Sequence, residues 1–340
     1  MLARILAAVI GLLVAAALAV LAWPEFFGLT QAPVVAQVVA LRGTAAAIAI
    51  ILAILLTLIS FVWRGARGFL AAVAVFLIAF AAVNVTVLVS RGWFGNGMPE
   101  PGPAAVTVLA WNTLGETPSA EVVADLVEET GAQAVSLPET GYDRGAEVVA
   151  LLAERGIVMQ QFTFAYDQIA KANSTTLLIS DQLGEYRADT RTVTTHNRPS
   201  LVATPVDGIG PAIAAVHTTA PGFSDQNEWR EDLEWVAALC AEPNLIVAGD
   251  FNSTIDHWAP LADPATPGAR IGTCADAAEQ AGSGGIGTWP AVLPALLGAP
   301  IDHVLVGPAW TVDGFRVVGS EDGSGSDHRP VVAVLSEVAP

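Results

Sequence analysis

The chain has 340 residues, 53% of them hydrophobic and only 14% charged, with a formal net charge of −18. That apolar excess excludes a wholly soluble chain and points to a membrane protein. The acidic balance and a single lysine, Lys171, disfavour a long nucleic acid as partner, because such a partner is gripped through many phosphates.

The hydrophobicity is concentrated in residues 5–23, 44–63 and 69–90. Each is about 20 residues long and uncharged, which is enough to cross a bilayer core as a helix. Trp23, Phe26, Phe27, Trp63, Trp93 and Phe94 fall at the ends of these runs, where interfacial aromatics belong. Arg4 precedes the first run, and Arg64 with Arg67 occupies the turn between the second and third. Positive residues stay on the cytoplasmic side, so the expected arrangement is a multi-pass protein of the cell membrane with everything after Ser90 outside the cytoplasm. Residues 92–103, rich in glycine and proline, read as a linker. That divides the chain into a membrane region (1–91), the linker and a catalytic domain (104–340).

Beyond the linker, strand-like and helix-like segments alternate. Strands are expected at 106–111, 134–137, 175–179, 201–206, 212–216, 245–248, 304–306, 315–318 and 331–335. Thr117 with Pro118 is the expected cap of a helix ending at Thr130, residues 146–155 form another, and Ser224 caps a third that runs through Cys240. A short helix is expected near 274–280. No internal repeat is visible. The mixture predicts an α/β sandwich, two packed sheets flanked by helices.

The polar residues that carry chemistry sit at the ends of these strands. The clearest case is Gly249-Asp-Phe-Asn252, where an apolar run stops at a glycine, a carboxylate and a carboxamide. Asn112 ends the first strand, Glu139 the second and His217 the strand before Asp250. Asp302 opens the strand 304–306, and Asp327 with His328 precedes the last. Strands of opposite direction deliver all of these to one rim of a sandwich. Glu139 and Asp327 offer hard carboxylate oxygens and Asn112 a neutral one, a set suited to Mg²⁺ or Mn²⁺. His328 is the natural general base, Asp302 holds its tautomer, Asp250 and Asn252 orient water or the leaving oxygen, and His217 donates to phosphoryl oxygens. Arg198 is the candidate substrate contact; His196, His257 and His303 are assigned no chemistry.

Taken together, Val108-Leu-Ala-Trp-Asn112, Leu137-Pro-Glu139, Val216-His217, Gly249-Asp-Phe-Asn252, Ile301-Asp-His-Val304 and Ser326-Asp-His-Arg-Pro330 resemble the motifs of the endonuclease/exonuclease/phosphatase superfamily. The resemblance implies a four-layer α/β sandwich and divalent-metal-dependent hydrolysis of phosphate esters. It implies metal binding at Asn112 and Glu139, and water attack carried by Asp250, Asn252, Asp302 and His328. The family's usual glutamine before the metal glutamate is Pro138 here. Thr288-Trp-Pro290 followed by Ile301-Asp-His resembles bacterial membrane-attached members.

From Pro101 onward there are 31 acidic and 10 basic residues. The expected substrate is therefore a phosphate ester beside the bilayer, a lipid headgroup or small phosphodiester. The alternatives are an extracytoplasmic DNA nuclease, for which Arg144, Arg191, Arg198, Arg270 and Arg329 would have to gather at the site, and a non-catalytic tethered binding module. The two cysteines, Cys240 and Cys274, read either as a disulfide, as an extracytoplasmic location favours, or as two buried thiols.

Overall fold

The structure, a computed structural model, describes residues 1–338 except Asn96, Pro103 and Gln168. Asn96 and Pro103 of the expected linker lie outside that description, as does the side chain of Arg4. The chain opens with helix α1 (Leu2–Ala22), a short α2 (Val35–Ala40), then α3 (Arg42–Val62) and α4 (Arg67–Arg91). α1, α3 and α4 are long and apolar enough to cross a membrane. α4 packs against both others, and the buried contact is built largely of small residues: Ala46, Ala49 and Ala53 on α3, Ala74 and Ala81 on α4. In lipid, where apolar side chains gain nothing from leaving the solvent, close approach of backbones is what holds helices together.

The rest of the chain runs β1 (Val106–Ala110), α5 (Ala120–Thr130), β2 (Ala134–Pro138), α6 (Tyr142–Glu154), β3 (Met159–Ala165), β4 (Ser174–Ser180), β5 (Tyr186–Ala188), β6 (Leu201–Pro205), β7 (Ala212–His217) and α7 (Gln226–Leu239). It continues through β8 (Leu245–Asp250), α8 (Ile255–Trp258), β9 (Ala275–Asp276), α9 (Ala277–Gln280), β10 (Asp302–Val306), β11 (Trp310–Val317) and β12 (Val331–Glu337). These strands form two six-stranded sheets, ordered β11-β12-β1-β2-β4-β3 and β5-β6-β7-β8-β10-β9. The sheets meet across a core that includes Val108, Leu177, Ile213, Ala248, Val304 and Ala333. α5 and α6 cover the outer face of the first sheet, and α7 that of the second. The result is the four-layer sandwich expected. Strands buried on both faces explain why their sequences are near-continuous apolar runs.

Several boundaries differ from the sequence reading. α5 is capped by Ser119, which accepts from the Val122 N–H, rather than by Thr117. α6 starts at Tyr142, earlier than expected, after Gly141, which caps with no side chain. The cap of α7 is Asp225, while the Ser224 hydroxyl donates to the Asp225 carboxylate. β3, β5, β9, α2 and α8 were not expected.

In each sheet one central pair is parallel, β1 with β2 and β7 with β8, and the remaining neighbours are antiparallel. The C-terminal ends of the parallel pairs and the N-terminal ends of β10 and β12 therefore share one rim. Beside that rim sit the ends of the long apolar helices. Arg42 at the start of α3 and Arg91 at the end of α4 both clamp Asp256 of α8 in bidentate fashion, at 2.7–3.0 Å. Arg42 also donates to Asn84 of α4 (2.6 Å) and to the Ala22 carbonyl (3.2 Å). Ala36 of α2 is fully buried in the cluster beneath α7. The start of the expected linker is likewise pinned, with Gly285 N–H donating to the Gly92 carbonyl (2.9 Å) and Gly95 N–H to that of Gly282 (3.1 Å).

Candidate active site

The local device that builds the site is Gly249. Its φ is +148°, and a Cβ there would fall 1.9 Å from the Val216 carbonyl oxygen. Only glycine lets β8 stay beside β7 to its last residue. His217 thereby faces Asp250 across the parallel pair, and Asp302 of β10 faces Asp250 on the other side. One row across three strands delivers an imidazole and two carboxylates.

The first sheet supplies the rest. Asn112 follows β1 and Glu139 follows β2; the Asn112 Nδ2 stands 3.3 Å from Glu139 Oε1 and 3.0 Å from Asp250 Oδ2. His328 comes just before β12. Ser326 fixes that loop by donating to the Asn112 carbonyl (2.6 Å) and accepting from the His328 N–H (3.1 Å), while the Trp111 indole donates to the His328 carbonyl (3.0 Å). The His328 ring bonds Asp302 Oδ2 through Nδ1 at 2.9 Å, so its Nε2 faces Asp250 Oδ2 and Asp327 Oδ1, each at 3.8 Å. His217 Nε2 lies 3.7 Å from Asp250 Oδ2 and 4.0 Å from Glu139 Oε1. The Asn252 amide donates to the Thr218 carbonyl (2.9 Å), and its N–H to Asp250 Oδ1 (2.8 Å). Arg198, half-buried, donates to Asn173 Oδ1 (2.8 Å).

Electrostatics follow from this crowding. Burial opposes charge on the His328 ring, but the Asp302 and Asp250 carboxylates outweigh it and raise its pKa. Burial raises that of Asp250. Burial, helped by the Arg198 charge, holds His217 well below the usual imidazole range, so that ring is neutral. Asp302 Oδ1 and Asp327 Oδ1 are buried with no hydrogen-bond partner among the described residues. Glu139 is held at φ +63°, a conformation uncommon outside glycine. Unpaired buried carboxylate oxygens, with Glu139 and Asn112 close by, fit a hard divalent cation that prefers oxygen ligands. Asp250, Asp302 and His328 also present ligand atoms within 4.8 Å of one another. Since Asp302 and His328 are already bonded to each other there, the corner where the Glu139 and Asp250 carboxylates converge on the Asn112 amide N–H groups suits such an ion better.

The Endonuclease/Exonuclease/phosphatase family matches residues 109–328, which contain every one of these side chains. The chain belongs to that family. No curated protein matches it in sequence. Similar solved structures include an endonuclease/exonuclease/phosphatase from Beutenbergia cavernae, 19% identical with a TM-score of 0.51, covering 69% of this chain and 72% of that one. TDP2 of D. rerio, humanized by mutation, is 19% identical with a TM-score of 0.50, covering 68% and 99%. The same protein complexed with single strand DNA product is 18% identical with a TM-score of 0.50, also covering 68% and 99%. At these identities the likeness is one of fold.

As a member of the endonuclease/exonuclease/phosphatase family, the chain is a metal-dependent hydrolase of phosphoric esters. Its site also depends on residues to which sequence reasoning gave no role. The Thr288 hydroxyl accepts from the N–H groups of Ile301 (3.1 Å) and Asp302 (3.2 Å), and the Trp289 indole donates to Asp327 Oδ2 (2.9 Å). Of the five arginines that a DNA nuclease would need to gather at the site, three are engaged elsewhere. Arg144 bonds the Glu116 and Pro118 carbonyls, Arg270 pairs with Glu279, and Arg329 is buried against Asp322 and three carbonyls. The three histidines assigned no chemistry are engaged elsewhere: His196 with Asp232 and Glu231, His257 with Thr254 and the Ala36 carbonyl, His303 with Asp276. Cys240 and Cys274 form a disulfide.

Proposed function

We propose that this chain is a multi-pass membrane phosphodiesterase, using Mg²⁺ or Mn²⁺, that hydrolyses a lipid headgroup or another small phosphodiester outside the cytoplasm. The observation that carries the reading is the tether between the site and the membrane helices. Four residues beyond Asn252, Asp256 is gripped by Arg42 and Arg91, at the ends of two helices long and apolar enough to span a bilayer. A substrate reaching this rim is at the level of the lipid headgroups. The disulfide supports an oxidising compartment, and the acidic, lysine-poor surface argues against a polyanionic partner.

Asn112 and Glu139, with Asp250 and Asp327 nearby, are the residues that hold the metal in this reading. A divalent cation supplies a Lewis acid for the phosphoryl oxygen and offsets the surrounding carboxylate charge. With Asp302 accepting at Nδ1, the surrounding carboxylates keep the His328 ring protonated, and the charge of a bound cation would offset them, leaving Nε2 to take a proton from the attacking water. Asp250 and Asn252 orient that water, and His217, neutral and buried, donates to a phosphoryl oxygen. Arg198 reaches the anionic substrate from the edge.

The test uses the full-length protein in detergent micelles with bis-p-nitrophenyl phosphate. Turnover is expected with Mg²⁺ or Mn²⁺ and not with EDTA, and His328→Ala lowers kcat by roughly 10²–10⁴. Failure to turn over any phosphodiester with either metal would rule the reading out.

A further inference from the structure

A cavity of about 370 Å³ opens directly off the site, with His328 and Asn252 in its wall. Its volume lies in the range that holds small-molecule ligands, roughly 300–1,000 Å³. Three features set it apart from a plain substrate cleft. Its wall away from the two catalytic side chains is apolar, formed by Leu41, Pro221, Ala299, Ile301 and the Trp289 ring. Part of that wall, Gln37 to Leu41, belongs to the segment between the first two membrane helices rather than to the sandwich. And both sandwich loops that complete it are fastened through their backbone carbonyls to side chains of the membrane region. Gln37 donates to the Pro221 carbonyl, and Thr44, in the first turn of α3, donates to the Leu297 carbonyl (2.7 Å). Gly43 lies so close to the second loop that a Cβ would fall 2.0 Å from the Leu296 carbonyl oxygen.

These same loops carry large apolar side chains outward. Phe223 is 78% exposed and Val292 86%, with Leu296 also exposed. At the level where α3 enters the bilayer, such residues gain by entering the lipid. The cavity therefore lies between a phosphoryl-transfer site and the acyl boundary of the membrane. A water-soluble phosphodiester leaves this volume empty, and a folded nucleic acid offers nothing apolar to fill it.

We infer that this cavity binds the apolar chain of a membrane lipid next to its phosphate, so that the substrate is a lipid phosphodiester drawn from the bilayer. Part of the binding site is then built by the α1–α3 connection. Gln37 is the polar residue that this connection gives to the cavity wall; its Oε1 is buried without a partner among the described residues and is an acceptor for a hydroxyl near the lipid's phosphate. This inference rests on the phosphodiesterase reading above and names the substrate class of the same site.

The experiment measures kcat/KM of the full-length protein with Mn²⁺ on three substrates: bis-p-nitrophenyl phosphate, a phosphatidylglycerol series of increasing acyl length below the critical micelle concentration, and a polyprenyl-linked phosphodiester. Turnover of the first alone, with no rise along the acyl series and none on the polyprenyl compound, overturns the lipid inference and leaves the phosphodiesterase intact. No turnover of any of the three overturns both. A rise along the acyl series assigns a glycerophospholipid, and turnover confined to the polyprenyl compound assigns that source instead; either supports the cavity. Leu41→Trp, which fills it, lowers the ratio of long-chain to short-chain kcat/KM about tenfold, the worth of roughly two buried methylenes. Leu41→Ala, which enlarges it, shifts the optimum to longer or bulkier chains. A thermal melt accompanies each variant, and an unchanged ratio in a folded Leu41→Trp protein is a negative result for the cavity.

Discussion

Glu139 sits in a left-handed backbone conformation, φ +63°, that costs a residue with a Cβ about 1–2 kcal/mol. The surroundings enforce it: its N–H donates to the Ser174 carbonyl (2.8 Å) and its own carbonyl accepts from the Thr113 hydroxyl (3.2 Å). Its carboxylate is also held near that of Asp250, through the shared Asn112 amide. Both are stability given up at a position that points an oxygen into the site. Glu139→Gly is therefore expected to raise stability by about 1 kcal/mol in metal-free buffer, read from a thermal or denaturant melt, while abolishing metal-dependent turnover. A lower melting temperature would show that the carboxylate is a net structural contributor and that the strain argument is mistaken. At this scale the sequence was informative about side chains that end apolar runs, because a lone carboxylate or imidazole after a buried strand has few structural uses. Ser326, Thr288 and Trp289 entered only as members of motifs, with no role assigned. A hydroxyl or an indole is equally at home in a core, and the partner it chooses is decided by segments far away in the chain.

Among the elements, α8 is a single turn of four residues and is heavily tied. Its Asp256 receives two guanidiniums, its His257 bonds the Ala36 carbonyl (3.0 Å), and the His257 carbonyl accepts from Gln31 (2.8 Å). Burial alone pushes the Asp256 carboxyl up, but Arg91 and Arg42 overcome it and hold the group far below the usual carboxylate range. A folded pKa below the unfolded one, near 4, means that the stabilisation is complete above that value and declines as pH falls below it. Asp256→Asn leaves two buried arginines short of charge, and breaking such a pair costs about 3–5 kcal/mol. The expected result is a melting temperature in micelles well below wild type, with a gap constant from pH 8 to 5 that narrows only under stronger acid. A gap that is small throughout, or that closes between pH 7 and 5, would show that the clamp is not what docks the sandwich. Neither the clamp nor α2 was legible in the sequence. α2 is six residues long, too short for periodicity to register, and a charge pair separated by 214 or 165 positions leaves no local signal. β3 escaped for a related reason: with Gln160 and Gln161 in a half-buried strand at the edge of its sheet, it lacks the apolar run that marks the central strands. The long helices and central strands were legible because their burial is continuous.

For the whole molecule, the structure changes how the charges are counted. Along the sequence, Arg4, Arg64 and Arg67 fall on one side of the three apolar runs and Arg42 and Arg91 on the other, a narrow margin. In the fold, Arg42 and Arg91 are both matched by Asp256, whereas Arg64 and Arg67 have no carboxylate partner among the described residues. The Arg64/Arg67 turn is then the basic end of the helix bundle, and the sandwich stands at the opposite end with its disulfide. Both observations favour the same proposal, a cytoplasmic turn and an extracytoplasmic catalytic domain. Because the native cysteines are bonded to each other, a newly introduced cysteine is the reactive thiol of the molecule. Gly65, exposed in the basic turn with open space around its Cα, and Ser320, exposed in the loop between β11 and β12, mark the two ends. In intact cells, a membrane-impermeant maleimide is expected to label Ser320→Cys and to spare Gly65→Cys until the membrane is permeabilised. The reverse pattern would put the catalytic domain in the cytoplasm, remove the oxidising compartment from the argument, and leave the substrate to be sought on the inner leaflet.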